Sequence, residues 1–311
     1  MKKLFITPCL VAAALLTSCN LDLVPQDKLA DTNYFNNRAE LEAFTNGFYS
    51  SIPEAATLYG ETADIIIPST LTSEVLGTRT VPGSGGGWSW TTLSDINTFL
   101  QGSNRCPDEA ARKEYQGLAR FFRAYFYFDK VKHFGEVPWF DEPLSSTDGR
   151  LYAPRTARNE LMTKIKEDLD NAIDNLPTAK STYRVTKWTA LALKSRVFLY
   201  EGTYRKYHGI AGYEQYLNEA ASAAEAFIDN SPYGIYNAGS QPYRDLFASD
   251  NALNTEVILA RNFNLKLNIV HSANQYFFAA GTSPGVNKKI VDSYLMKDGT
   301  RFTDLAGYQT W

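Results

Sequence analysis

The sequence predicts an all-α fold of paired helices, continued by a loop-rich half, and three observations predict it. First, Leu118, Phe121, Phe122, Tyr125, Phe128 and Val131 recur at three- and four-residue steps within GLARFFRAYFYFDKVKHFGEVPWF (117–140). That spacing places them on one face of an α-helix. Second, similar stripes return at Leu161, Ile165, Leu169, Ile173 and Leu176, and again at Ala190, Leu193, Val197 and Tyr200. Third, the periodicity degrades from Ser231 onward.

The 117–140 stretch is the centre of the helical half. Phe126 and Tyr127 widen its apolar stripe, and so wide a surface must be packed on more than one side. Arg120, Arg123, Asp129, Lys130 and Lys132 are expected largely on the opposite side. Gly135 offers a C-terminal cap, Lys132 and His133 sit in the last turn, and Pro138 prevents the helix from resuming. Core packing, rather than a cofactor or glycan groove, is the expected use of these rings.

The chain of 311 residues carries 44% hydrophobic residues, enough for a sizeable core in one or two domains. A net charge of −3 gives no electrostatic footprint for nucleic acid. Lys2 and Lys3 precede a short apolar run, Leu4 to Leu16, which reads as a signal segment too short to span a bilayer comfortably. It ends in Leu16-Thr17-Ser18-Cys19, similar to the lipobox of bacterial lipoproteins, so Cys19 is the expected lipidation site. An ordinary signal peptide with an incidental cysteine is the alternative. Residues 1–18 are then a lipoprotein signal peptide and 19–33 a polar tether. Cys106 is left as a single internal cysteine, with no disulfide framework.

Beyond the tether, Arg38 to Ser50 has helical spacing weakened by Gly47. The run Ile65-Ile66-Ile67 changes character before Pro68. Thr78 to Thr91 (TRTVPGSGGGWSWT) reads as a long flexible loop ending in Trp88 and Trp90. Helices are expected at 93–100, from about 108 to 134, at 156–176, 187–204 and 213–229, with 256–260 as a strand and a short segment at 290–296. The pairing expected is 93–100 with the central helix, and 156–176 with 187–204. Small and aromatic spacing gives these pairs a tetratricopeptide-like character, although no strict 34-residue repeat is present.

The candidate binding residues lie around the glycine-rich loop. Sugars present apolar C–H faces, so a site needs flat rings for stacking and a few amide or guanidinium donors for hydroxyls. Trp88 and Trp90 supply rings, Arg79 a guanidinium, and Asn97 an amide in the following helix. If the chain is extended there, the two rings point in opposite directions, one to ligand and one to the body.

Other chemistry is not signalled. GSGGGW lacks the Lys-Ser/Thr of a phosphate loop. His133, His208 and His271 stand singly, without metal-ligand spacing, and no cofactor is expected. Glu160, Glu167, Asp168, Asp170 and Asp174 read as a solvated helix face rather than paired catalytic carboxylates. Asp298-Gly299 lacks calcium-loop spacing. No G-x-S-x-G or H-E-x-x-H appears, so an enzyme is not expected.

Taken together, the lipobox, LARFFRAYFYFDKVKHFGEVPWF, RVTKWTALALKSRVFLYEG (184–202), NTEVILA (254–260) and VDSYLMKDG (291–299) resemble, in order, the SusD/RagB-type lipoproteins. The resemblance implies an outer-membrane, surface-exposed lipoprotein that captures oligosaccharides or other nutrients. It would hand them to a SusC-like TonB-dependent transporter. The resemblance also implies that 34–311 is a SusD-like helical domain with an irregular ligand-binding half. Family members continue beyond VDSYLMKDG, so the chain is expected to be a fragment or a truncated product. The rival reading is a helical protein-interaction subunit of the transporter complex without ligand binding of its own.

Overall fold

The computed structural model describes residues 34–53, 65–67, 70–272, 275 and 284–308. The signal segment, Cys19 and the tether lie outside the described residues. Eight α-helices stand among those described, from α1 (Arg38–Asn46) and α2 (Thr91–Gly102) through the spine α3 (Glu109–Phe134). Then come α4 (Arg158–Asn175), α5 (Lys187–Tyr207), α6 (Tyr213–Asn230) and the short α7 (Pro242–Ala248) and α8 (Lys288–Asp292). None of them is long and apolar enough to cross a membrane.

Local chemistry explains the ends of α3. The Asp108 carboxylate accepts from the Ala111 amide at 3.0 Å, an N-cap that satisfies one orphan donor. At the other end Gly135, with φ +71°, donates its amide to the Val131 carbonyl at 3.1 Å. His133 Nδ1 lies 2.9 Å from the Asp129 carbonyl, as its last-turn position anticipates. In α5, Thr186 and Thr189 form a capping box.

Both expected helix contacts are present, α2 on α3 and α4 on α5, but the most extensive pairings are others. α3 packs along α4, and α5 along α6. Small residues set these choices. A Cβ on Gly117 would stand 3.1 Å from the Asn175 Cβ, so α3 and α4 approach closely there. On Gly202, a Cβ would fall 2.6 Å from Leu217 Cδ2 and 2.8 Å from its Cγ, which locks α5 against α6. Ala220 and Ala223 are buried on the facing side of α6.

Gly202→Ala is therefore expected to lower the thermal midpoint. Overpacking costs about 1–3 kcal/mol and outweighs a helix-propensity gain of up to ~1 kcal/mol. An unchanged or raised midpoint would contradict this packing.

The core begins with an aromatic cluster at the α1 end. Phe35, Phe44, Phe48 and Phe99 meet mostly edge-to-face at 5.0–5.9 Å. It continues through Phe122 and, in a second cluster, Tyr127, Phe128, Leu161, Ile165, Leu169, Val197 and Phe198. Each such side chain contributes roughly 1.5–3 kcal/mol on burial. The aromatic spine thus packs as core.

Two expectations are corrected. Residues 256–260 form no strand: Glu256 and Val257 turn back onto the Leu253 carbonyl, and the Ala260 amide makes a lone bond to the Thr182 carbonyl. The run instead packs Leu259 against the core from a loop. The one ladder among the described residues pairs β1 (Ile66–Ile67) antiparallel with β2 (Gly285–Val286). Arg123 and Lys130, on the polar side of α3, are buried because neighbours cover that side too. Asp168, expected on a solvated helix face, is buried as well. It accepts from Arg123 Nε and Nη2 at 2.6 and 2.7 Å and from Arg120 Nη1 at 2.9 Å.

Candidate functional site

A glycine turn builds the entrance. Gly85, Gly86 and Gly87 have φ of +76°, +60° and +84°, the left-handed region in which only glycine is unstrained. The Trp88 amide closes the turn on the Gly85 carbonyl at 3.0 Å. Two residues on, Trp90 caps α2 with φ −122° and ψ 3°. The backbone is therefore not extended at Trp90, and the rings do not diverge. They meet edge-to-face at 5.1 Å.

Trp88 also stands edge-on to Phe134 at 4.9 Å and remains 41% exposed. Trp90 goes deeper, against Phe126 at 5.6 Å and Phe140 at 5.5 Å. Arg155 lies over the Trp88 ring at 5.7 Å while donating to the Phe134 and Glu136 carbonyls. These rings open onto a cavity of about 210 Å³, closed by Leu93, Ser94, Pro138, Phe140 and Leu151. Its lining is mostly apolar with polar groups at the margin, the usual composition of a small-ligand site.

Of the residues singled out in the sequence, the structure brings Trp88, Trp90 and Asn97 to this cavity. Asn97 is buried, and its amide nitrogen donates to the Phe140 carbonyl at 3.0 Å and to that of Glu142 at 3.2 Å. Its oxygen accepts from Arg123 Nη1 at 3.3 Å. Both amide protons are thus committed to fastening the cavity wall. Arg79 stands apart: it is exposed, faces Glu74 at 3.5 Å, and does not line the cavity.

Sequence reasoning missed the far wall. Tyr127 holds that wall too, its hydroxyl accepting from the Phe140 amide at 2.6 Å. Burial pushes its phenol well above the ordinary range, so it stays neutral. The signal was Pro138-Trp139-Phe140 directly after the helix stop, a place where the chain must fold back over α3. Among the described residues no cluster of histidine, cysteine and carboxylate side chains could hold a metal ion.

Fold and cavity define an all-α protein of helical pairs with an aromatic cleft beside its central helix. Comparison with known proteins narrows that class. A family described as "Starch-binding associating with outer membrane" matches residues 89–199, from the cavity loop into α5. A SusD-like protein of Bacteroides ovatus is 24% identical over 80% of this chain and 47% of its own length. SusD-like protein P38 of Formosa agariphila is 28% identical over 44% of this chain and 24% of its own.

Among solved structures, a SusD-like protein of Bacteroides fragilis aligns with a TM-score of 0.68 at 20% identity, covering 89% of this chain and 56% of that one. A laminarin-binding SusD-like protein aligns at 0.56 and 22%, covering 72% and 51%. The chain shares the all-α fold of these SusD-like structures. It spans less than half the length of the curated relatives it matches.

Proposed function

We propose that this protein captures oligosaccharides at the Trp88–Trp90 cavity and passes them to a SusC-like TonB-dependent transporter. The observation that carries the reading is Trp88, a half-exposed ring on a glycine turn at the mouth of a mostly apolar cavity. A pyranose face stacks on such a ring, while Ser94 and Glu142 of the lining, the latter paired with Arg150, meet hydroxyls. The starch-binding description of the matching family and the laminarin-binding relative are consistent with a glucan. In this reading Trp88 is the ligand platform, Trp90 its support and Asn97 the fastener of the wall. Arg79 reaches ligand only from the loop's outer side.

The same reading makes the protein a binder and not a glycosidase. Glycoside hydrolysis takes a pair of carboxyl groups flanking the bond, and Glu142 is the one acidic residue lining the cavity among the described residues. Lipidation at Cys19 would anchor the body to the outer membrane, facing the exterior. Affinity electrophoresis through soluble starch and laminarin tests the reading. Wild type is expected to be retarded by at least one glucan, and Trp88→Ala to lose about tenfold in affinity, the equivalent of ~1.4 kcal/mol of stacking. Undiminished retardation of the variant would sink the site.

One observation favours a second reading, docking onto a protein partner. Tyr243 and Phe247 pair at 4.9 Å on α7 and are 79% and 72% exposed. Co-purification with an outer-membrane barrel without glucan retardation would select it.

A further inference from the structure

We infer that Lys130 is a positioning residue that sets the Trp88 ring at the cavity mouth by gripping the Gly87 carbonyl. The inference rests on the reading of that cavity as the ligand site. Lys130 is buried near the C-terminal end of the spine, and its ammonium donates to the Gly87 carbonyl. Its Nζ lies 4.9 Å from the Phe126 ring and 5.9 Å from that of Phe134. Among the described residues no carboxylate forms an ion pair with it. Burial pushes the amine below the ordinary lysine range, and neighbouring Asp129 only partly offsets this.

A buried, unpaired lysine is costly, and methionine would fill much the same space without a charge. What lysine adds is a charge-assisted hydrogen bond, about twice as strong as a neutral one. That bond falls where the chain most needs one. Three consecutive glycines precede Trp88, and glycine loses more conformational freedom on ordering than any other residue. The gripped carbonyl belongs to the peptide that joins Gly87 to Trp88, so fixing it fixes the base of the Trp88 side chain.

The spacing on α3 reinforces the point. Phe126, Lys130 and Phe134 are four apart and share one helix face. Phe126 meets Trp90, Lys130 meets Gly87 and Phe134 meets Trp88. One stripe of the spine thus holds three points of the loop, and its central point is the polar one.

Lys130→Met tests this without any glycan. Trp88–Trp90 is the one Trp–Trp contact among the described residues, and such a pair gives an exciton couplet in far-ultraviolet circular dichroism. Trp88→Phe, read alongside, defines the pair's share of the signal. In Lys130→Met the couplet is expected to fall by roughly half or more as the ring geometry relaxes. The thermal midpoint should hold or rise, because a buried charge has been removed. An unchanged couplet overturns the inference. So does a couplet lost together with a lowered midpoint, which would make Lys130 a structural residue. Glucan retardation of wild type is a separate measurement, so failure of the ligand site and failure of the grip are distinguishable.

Discussion

Asp168→Ala is expected to cost about 3–5 kcal/mol of unfolding free energy, because it strands a buried guanidinium. Asp168 and Arg123 are both buried, and Asp168 takes three hydrogen bonds from Arg123 and Arg120. Burial alone would pull the Arg123 guanidinium below its usual range. The Asp168 bonds and charge outweigh this and raise it. Removing the carboxylate leaves the desolvation unopposed.

The damage should extend to the cavity. Arg123 also donates to Asn97, which fastens the 140–142 wall, and lies 5.2 Å from the Trp139 ring. Urea unfolding checks the stability effect as a lowered midpoint at constant slope. The double variant Arg123→Met/Asp168→Leu removes both charges and should recover most of the loss. If Asp168→Ala unfolds at the wild-type midpoint, the pair is not the keystone of the α3–α4 contact.

Glu201→Ala should be at least as severe. The Glu201 carboxylate is fully buried in α5 and serves two arginines. Arg158, at the start of α4, donates from Nε at 3.0 Å and from Nη2 at 2.7 Å, and Arg205 donates from Nε at 2.7 Å. Those guanidiniums lie over Tyr204 at 4.0 Å and Tyr216 at 4.5 Å, so the carboxylate joins α4, α5 and α6 through a ring-lined pocket. Its loss leaves two cations unpaired, again about 3–5 kcal/mol. Glu201→Gln keeps the shape and one acceptor, so it should lose less. Equal midpoints for the two variants would show that charge alone, not shape, holds the junction.

How far the sequence reveals these features depends on the range of the cause. The spine's limits follow from Asp108, Gly135 and Pro138, all local chemistry, and the expected 108–134 matches Glu109–Phe134 closely. Periodicity also identifies α4, α5 and α6, but it describes one helix at a time. It does not say which helices pair, since that depends on the close approaches at Gly117 and Gly202. Nor does it say what covers a polar face, which is why Asp168 reads as solvated and the burial of Arg123 and Lys130 is not announced. At 256–260 the aliphatic run has strand composition but no neighbouring strand to bond. In the cavity, Trp88 and Trp90 are legible from composition. Their contact is not, because it depends on Trp90 taking a non-extended N-cap conformation. Phe140 and Leu151 arrive from more than forty residues away in the chain; the helix stop at Pro138 announces the fold-back that brings Phe140, and nothing local announces Leu151.

In the proposed reading the Trp88 ring is a glycan platform. Isothermal titration of wild type and Trp88→Ala with the glucan that retards wild type tests it most directly. The platform predicts about tenfold weaker binding in the variant at an unchanged thermal midpoint. Equal affinities for the two proteins would contradict it.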